Sequence, residues 1–448
     1  MSFPRYPAYK DSSVEWLGAV PEHWTSAPLK RLIDHIESGV SVNAVDTPAT
    51  ADESGVLKTS CVYHGEFDPS ENKVVLQGEY GRRACPVTAN TLIVSRMNTP
   101  DLVGAAGLSR KSHTNLFLPD RLWQVHFRAS DPRYVHYWTR TPAYRAQVQV
   151  VCAGTSSSMQ NLSQEDFRSF LIPRPSLPEQ TQISTFLDRE TAKIDALVAE
   201  QRRLMELLKE KRQAVISHAV TRGLNPNAPM KPSGVEWLGD VPAHWEVTPL
   251  KYLTEIGNGS TPSREVPEYW AEEGFPWLNS SVVNSSVVTE AEGFVTERAL
   301  RECHLPIVVP PAILVGITGQ GRTRGMAALL GIEATINQHV AYIKPASVKL
   351  DVNYILRVFD SAYSKLRRDS EEAGATKGAI TCGQLGELRI PLPELAEQNA
   401  IVAFLEAEST KLDTLTAEAQ RAIDLLLERR TALISAAVTG QIDVRGVV

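Results

Sequence analysis

Two long stretches of the chain carry apolar residues at steps of three, four and seven positions, the spacing of a coiled-coil seam. In residues 179–221 and 397–438 the seam consists of Leu187, Ile194, Leu197, Leu204, Leu208 and Val215, and of Leu405, Leu412, Leu415, Ala422, Leu426 and Leu433. Each stretch begins just after prolines and acidic residues, as helices often do. The pattern predicts two long helices, each with one apolar stripe flanked by charged residues.

These two helices can bury their stripes against each other within one chain. A long segment must connect the end of the first helix to the start of the second, so we predict an antiparallel pair. A coiled coil with a partner protein is the main alternative.

The segments outside the long helices have a mixed pattern. Short apolar runs at 91–95 and 312–316 indicate buried strands, and 74–76 and 339–343 are further strand candidates. Each segment ends in a stretch with helical periodicity, 134–149 in the first and 353–368 in the second. A linker at 221–233 that contains proline and glycine separates the two halves.

The chain is an internal repeat. Residues 14–30 (VEWLGAVPEHWTSAPLK) match residues 235–251 (VEWLGDVPAHWEVTPLK) at 12 of 17 positions. A second block, EQTQISTFL at 179–187, matches EQNAIVAFL at 397–405, and both blocks follow an IPxP lead-in. Between the repeated blocks, residues 31–170 and 252–388 diverge. We therefore predict an α+β protein: two mixed α/β domains in a pseudo-twofold duplicated frame, with the long helices between them as an antiparallel coiled coil.

Charge is unevenly distributed. The 448 residues have a net charge of −6, which excludes a generic polycationic nucleic-acid binder. Yet residues 31–80 have a net charge of −6, residues 81–150 of +7 and residues 302–370 of +3. Local basic faces therefore remain compatible with nucleic-acid binding.

Catalytic and metal-binding patterns are missing from the sequence. The cysteines are scattered without a CxxC pair, which disfavours a zinc site or a disulfide framework and suits a reducing cytoplasm. We find no Walker loop, GxSxG or HExxH motif, no adenine-methylase motif and no convincing nuclease core. We therefore expect no catalytic residues, no metal ligands, no cofactor bound by this chain and no membrane span.

Basic and amide side chains follow the predicted strands 91–95 and 312–316, which occupy matching places in the two halves. Gly104 aligns with Gly325 at the end of these stretches. Arginine pairs with guanine and asparagine or glutamine with adenine, whereas other cations neutralise phosphates. The candidate DNA-binding residues, chosen on loop placement and side-chain chemistry, are Arg96, Asn98, Lys111, Gln320, Arg322 and Arg324, with Lys365, Arg367 and Arg368 as candidates for phosphate contacts. A solvated charged face is the alternative interpretation. The four repeated tryptophans, at 16, 24, 237 and 245, are expected to pack the variable domains onto the frame.

The paired VEWLGxVPxHW elements, the IPxP–EQxxIxxFL blocks and the two long helices resemble the DNA-specificity subunits of Type I restriction–modification enzymes. The resemblance covers essentially the whole chain. It implies a first target-recognition domain with an N-terminal frame segment at 1–175, a central helix at 176–222, a linker and second recognition domain at 223–393, and a C-terminal helix at 394–448.

The same resemblance implies a non-catalytic subunit that binds double-stranded DNA. Each recognition domain would read half of a bipartite target, and the helices would set the spacing. Two modification subunits would supply S-adenosylmethionine and adenine N6-methylation, and a restriction subunit would supply ATP- and Mg²⁺-dependent translocation and cleavage. Two alternatives remain: the same scaffold with its own nuclease or methyltransferase activity, and a protein-interaction scaffold without a DNA role.

Overall fold

The computed structural model describes residues 3–152, 159–319, 321–372 and 378–446. The chain forms two compact units, Met1–Arg202 with Gln420–Val448, and Arg203–Ala419. Each unit therefore contains a part of both long helices. Among the described residues, no helix is long and apolar enough to cross a membrane.

The first unit contains most of the elements of the N-terminal half. In chain order its elements are β1 (Tyr9–Asp11), β2 (Ala19–Pro21), β3 (Thr25–Pro28), β4 (Ile33–Ser38), β5 (Ala44–Val45), β6 (Gly55–Leu57), β7 (Asn72–Val75), β8 (Pro86–Val87), β9 (Thr91–Ser95), β10 (Met97–Asn98), β11 (Ala106–Ser109), β12 (His113–Phe117), β13 (Leu122–Phe127), α1 (Pro132–Thr139), α2 (Pro142–Cys152), β14 (Gln160–Asn161), α3 (Gln164–Ser169), β15 (Leu171–Arg174) and the start of α4 (Leu177–Arg222).

The second unit begins within α4 and follows a similar order. Its further elements are β16 (Met230–Pro232), β17 (Asp240–Pro242), β18 (Glu246–Pro249), β19 (Thr254–Asn258), β20 (Trp270–Ala271), β21 (Phe275–Leu278), β22 (Val287–Val288), β23 (Gly293–Val295), α5 (Glu297–Glu302), β24 (Ala312–Gly316), β25 (Ala327–Leu330), β26 (Thr335–Ile336), β27 (Val340–Pro345), α6 (Val352–Glu372), α7 (Cys382–Glu387), β28 (Arg389–Leu392) and the start of α8 (Leu395–Val438).

The main sheets of the two units have the same strand order. The first unit has the sheet β11-β9-β13-β4, and the second has β25-β24-β27-β19 with β22 added outside β25. The central strands β9 and β24 are buried at every position, as their apolar runs predict. Each unit has a second sheet of shorter strands, β5-β7-β6-β12-β8 in the first and β20-β23-β21-β26 in the second. The duplicated fold expected from the sequence is therefore present in both units.

A two-stranded antiparallel sheet closes the base of each variable segment. Strand β3 pairs antiparallel with β15, and β18 pairs antiparallel with β28. These strands lie directly before and after residues 31–170 and 252–388, the segments that diverge in sequence. The two ends of each variable segment therefore leave the frame side by side.

The predicted elements differ from the structure in two places. The helix predicted at 134–149 is two helices, α1 and α2, because the chain turns at Arg140–Thr141 before Pro142, which has no backbone N–H to donate. The predicted linker 221–233 is shorter than expected, because Met230–Pro232 pairs with Asp240–Pro242 as a hairpin.

The two long helices are present, as predicted, and they run antiparallel. In the first unit Arg430 on α8 binds Asp195 on α4 with two hydrogen bonds, of 2.8 and 3.0 Å. In the second unit Arg212 on α4 binds Asp413 on α8. Asp195 and Asp413 are repeat equivalents, as are Arg212 and Arg430, so each half supplies one member of each pair.

The seam between these helices differs from the predicted one. Leu197, Leu204 and Leu415 are 52%, 40% and 46% exposed, so their assignment to the seam was wrong. The buried stripe of α4 instead continues from Ile194 through Val198 to Leu208. Between Val198 and Leu208 this stripe passes through Gln201 and Met205, which are both half-buried. Gln201 is polar, so choosing the most apolar residues in the sequence did not give the true seam.

Candidate nucleic-acid interface

Two loops occupy equivalent positions in the two units. The first loop, residues 96–105, connects β9 to β11, and the second loop, residues 317–326, connects β24 to β25. Each ends at a glycine with positive φ, Gly104 at 77° and Gly325 at 85°. The N–H of each glycine donates to the carbonyl of the last residue of the preceding strand, Ser95 or Gly316, at a distance of 2.7 Å. The alignment of Gly104 with Gly325 therefore reflects a shared turn that favours glycine.

Arg96 begins the first loop and is partly exposed. Its Nε and a terminal nitrogen donate to Asn161 Oδ1 over 3.4 and 3.3 Å, and its guanidinium lies 5.7 Å from the ring centre of Trp123. Trp123 is buried, so it supports the arginine from the protein side. The arrangement presents an arginine and an asparagine side by side at the surface.

Asn98 has its amide engaged inside the protein. The side chain is 7% exposed, and its Nδ2 donates to the Tyr63 hydroxyl over 3.0 Å and to Ser95 Oγ over 3.2 Å. Its Oδ1 accepts from the N–H of Thr99. In this conformation Asn98 shapes the first loop, and its role in contacting a base stays a prediction.

Lys111 is exposed in the turn between β11 and β12, and Ser109 Oγ donates to its carbonyl over 2.7 Å. Other basic residues of this region are used internally. Arg110 and Arg133 bind Asp188 on α4, Arg82 binds Glu79 and Arg140 binds Glu66. The net charge of residues 81–150 therefore overstates the positive charge available to a ligand.

Asp188 anchors two of these arginines to α4. Partial burial opposes its ionisation, but hydrogen bonds from Arg110, Tyr137 and Arg133 hold the pKa of its carboxyl below the usual range. Asp188 is therefore ionised at neutral pH, and Arg110 and Arg133 bind the long helix.

Arg322 in the second loop also contacts an asparagine, although it is not the repeat equivalent of Arg96: Arg96 lies eight residues before Gly104, and Arg322 lies three residues before Gly325. It is exposed, and its Nε donates to Asn284 Oδ1 over 3.3 Å. The Tyr363 hydroxyl on α6 donates to the carbonyl of Arg322 over 2.8 Å and holds the loop against that helix. Both units thus pair an arginine of the loop with an asparagine from another segment. The sequence did not reveal Asn161 or Asn284, because each lies far along the chain from its arginine.

Arg324 is buried, with 3% of its surface exposed, whereas Arg322 in the same loop is exposed. Its terminal nitrogen donates to Glu371 Oε1 over 2.7 Å. A base contact by Arg324 stays a prediction and requires the side chain to leave this ion pair. Gln320, the remaining candidate of this loop, lies outside the described residues.

The three phosphate candidates lie on α6. Arg367 donates to the carbonyl of Gly321 over 2.6 Å and lies over the ring of Tyr363, so it supports the second loop. Lys365 pairs with Asp369, and Arg368 is exposed. Their contacts with phosphate stay predictions.

A groove in the second unit is lined by basic side chains. Lys209 and Arg212 from α4, Arg322 from the second loop and Arg357 from α6 surround it. Arg212 is bound to Asp413 and Arg357 to Asp360, so Lys209 and Arg322 are the cations best placed to meet an anionic ligand. The sequence reasoning missed this groove because its residues come from three separate segments.

The repeated sequence blocks hold each unit together. Glu179 accepts a hydrogen bond from Tyr6 and lies 3.2 Å from His23, and its equivalent Glu397 accepts from Trp245 and lies 2.9 Å from His244. The glutamate of the EQxxIxxFL block therefore binds the histidine of the VPxHW block in both units.

A buried tyrosine also makes equivalent hydrogen bonds in the two units. Tyr134 donates to the carbonyls of Pro173 and Val438, and Tyr354 donates to those of Pro391 and Val220. Val438 and Val220 lie at the C-terminal ends of α8 and α4. Each unit thus fastens the end of one long helix to the IPxP strand of the other repeat.

The repeated tryptophans divide into two kinds. Trp24 and Trp245 are fully buried beside the glycines that follow the long helices, Gly440 and Gly223. Trp16 is 40% exposed and Trp237 is half-buried, so the packing role expected of them stays a prediction. The first tryptophan of each repeat therefore contributes less to the core than the second.

Comparisons with known proteins agree with this architecture. Residues 242–424 match the family model described as Type I restriction modification DNA specificity domain. The chain is 26% identical over 303 residues to the Type I restriction enzyme EcoR124I/EcoR124II specificity subunit of Escherichia coli, covering 65% of this chain and 67% of that protein. It is 21% identical over 439 residues to a protein described as the MjaX specificity subunit of Methanocaldococcus jannaschii, covering 96% of each.

Solved structures share the fold. A chain from a structural study of the assembly of the type I R-M system matches with a TM-score of 0.69 and 16% identity, over 94% of this chain and 98% of that one. The HsdS subunit from Thermoanaerobacter tengcongensis matches with a TM-score of 0.54 and 16% identity over the same shares. Together with the duplicated frame and the paired loops, these matches show that residues 242–424 resemble the Type I restriction modification DNA specificity domain and that the whole chain is similar to Type I specificity subunits.

Proposed function

We propose that each unit of this chain reads one half of a bipartite double-stranded DNA target, and that α4 and α8 set the distance between the half-sites. The observation that carries the proposal is that each of the two equivalent loops has an arginine beside an asparagine at the surface, Arg96 with Asn161 and Arg322 with Asn284. Arginine reads guanine through O6 and N7, and asparagine reads adenine through N6 and N7.

The two loops differ in sequence while the strands and glycines that hold them are equivalent. A duplicated support with different reading side chains suits a target whose halves differ in sequence. The basic groove beside Arg322 adds Lys209 as a candidate for phosphate contact, which would position the unit without specifying bases.

The chain acts, in this proposal, as a non-catalytic subunit. Two modification subunits bind the frame and supply S-adenosylmethionine and adenine N6-methylation. A restriction subunit supplies ATP- and Mg²⁺-dependent cleavage. The support is the family, together with the missing catalytic motifs in the sequence.

Methylation-sensitive long-read sequencing tests the proposal directly. A host expressing this chain with its modification subunit is expected to carry methyladenine in a single motif made of two half-sites and a fixed gap. A host with the modification subunit alone is the control and is expected to lack that motif. Methylation at a continuous site, or methyl transfer by the purified chain alone, would contradict the proposal.

A further inference from the structure

Two histidines and a glutamate meet at one edge of the first unit's main sheet, outside the candidate interface. His35 and Glu37 lie on β4, the edge strand, and His126 lies on the neighbouring strand β13. One ligand atom from each residue, an imidazole nitrogen or a carboxylate oxygen, lies within 4.8 Å of the other two. The proposed reading of DNA makes no use of this cluster.

Strand geometry explains why these side chains converge. Residues two apart on a strand point to the same face, so His35 and Glu37 share a face of β4. Glu37 pairs in register with Gln124 on β13, and the register shifts between Val125 and Phe127. His126 sits at this irregularity, and a bulge of this kind redirects a side chain.

Hydrogen bonds and ring stacking hold the three side chains close together. His126 Nε2 donates to Glu37 Oε2 over 2.7 Å, and Gln124, which is fully buried, donates to the same oxygen over 2.8 Å. His35 Nδ1 donates to Asp34 Oδ2 at 2.9 Å, which leaves Nε2 as the nitrogen of this imidazole that can bind an ion. A carboxylate behind a histidine is the arrangement that orients metal-ligating imidazoles. The two imidazole rings are stacked, with centroids 4.1 Å apart and 11° between their planes.

We propose that His35, Glu37 and His126 bind a divalent first-row transition-metal ion, with Zn²⁺ as the probe. Two imidazoles and a carboxylate suit such an ion, and three protein ligands leave a fourth position for water. Ligand atoms around tetrahedral zinc lie about 3.3 Å apart, so the donor atoms must approach one another by up to about 1.5 Å. The stacked imidazole rings must also rotate so that their nitrogens converge on the ion. For the ion to bind His126 Nε2, the proton must leave that nitrogen, and the neutral imidazole then carries its hydrogen on Nδ1.

This site departs from the expectation of no metal ligands drawn from the sequence. Glu37 and His126 are 89 positions apart, and His35 and Glu37 alone are too few donors to suggest a site. A bound ion would cross-link β4 to β13 in the sheet whose central strand, β9, leads into Arg96.

The test uses the purified full-length chain, freed of metal with a chelator and then titrated with Zn²⁺ by calorimetry. We expect one equivalent to bind, and expect the thermal unfolding midpoint to rise with it. His126→Gln and Glu37→Gln are each expected to weaken binding at least tenfold. Asp34→Asn is expected to weaken it about tenfold, because this residue orients His35 without being a ligand.

His218→Ala is the matched control, because His218 is an exposed histidine on α4 in the other unit, and it is expected to bind Zn²⁺ as the original chain does. Circular dichroism verifies that each variant is folded. As a second measurement, Co²⁺ in place of Zn²⁺ is expected to give visible absorption bands that the His35→Ala/His126→Ala double variant lacks. Equal binding by that double variant and the original chain, or no binding by either, would overturn the proposal.

Discussion

At the scale of single residues, the two loop arginines are the sharpest test of DNA reading. Arg96 and Arg322 are each held by an asparagine oxygen at the surface of a different unit. We expect Arg96→Ala to weaken binding of the assembled complex at one half-site, and Arg322→Ala at the other, by about 1–3 kcal/mol each. Binding to DNA duplexes with one half-site altered at a time measures this.

Arg368→Ala provides the contrast, because an exposed arginine on α6 that contacts phosphate contributes equally to all sequences. It is expected to weaken binding uniformly and to reduce the salt dependence by about one counterion. If Arg96→Ala and Arg322→Ala leave both half-sites bound as before, neither arginine reads a base.

The buried tyrosines allow a test of the frame. Burial raises the pKa of Tyr134 and Tyr354 well above the usual value, so both hydroxyls stay protonated and donate. Tyr134→Phe leaves the carbonyls of Pro173 and Val438 without this donor, and we expect a loss of about 1–3 kcal/mol of unfolding free energy. Urea unfolding monitored by circular dichroism measures it.

Tyr252→Phe is the control for that measurement, because Tyr252 is 70% exposed and its hydroxyl faces solvent. It is expected to leave the urea midpoint unchanged. Equal midpoints for the two variants would show that the Tyr134 hydroxyl does not stabilise the frame.

At the scale of elements, strands and helices followed the apolar pattern closely, but the seam of the long helices did not. The pattern favoured Leu197, Leu204 and Leu415, which are exposed, over polar positions such as Gln201 that follow the buried stripe. Periodicity shows that a helix has an apolar side, whereas the partner helix decides which neighbouring stripe is covered. The ion pairs Asp195–Arg430 and Arg212–Asp413 join α4 to α8 and show which sides of the two helices face each other.

The same ion pairs define a test of the spacing role. One heptad inserted in α4 after Arg202 and one in α8 after Ala422 lie between the two pairs and keep the seam in phase. Each adds about 10 Å, and we expect the gap between half-sites to lengthen by about three base pairs. Methylome sequencing reads out the gap.

Seven residues inserted at 224–229, between α4 and β16, serve as the control and are expected to leave the gap unchanged. A methylome with the original gap after both heptad insertions would refute the spacing role of the helices.

At the scale of the whole molecule, the fold places variable segments on a duplicated support. The strand pairs β3–β15 and β18–β28 bring the ends of each segment together, so a segment can be exchanged at its base. We expect replacement of residues 252–388 by the corresponding segment of a relative with another target to change one half-site and preserve the other. Methylome sequencing of the chimaera measures both.

Replacement of residues 31–170 in the same way is the matched chimaera and is expected to change the other half-site. If either exchange alters both half-sites, the two units do not read DNA independently.

The sequence by itself determined the duplication, the main strands and the two long helices, because repeats and periodicity are properties of consecutive residues. It also carried the family resemblance. Only the tertiary structure decided which basic residues are already in ion pairs, because pairs such as Arg110–Asp188 and Arg324–Glu371 join distant segments. Three further features depend on contacts between residues far apart in the chain, so the sequence did not determine them. They are the seam of the long helices, the partners Asn161 and Asn284, and the His35–Glu37–His126 cluster.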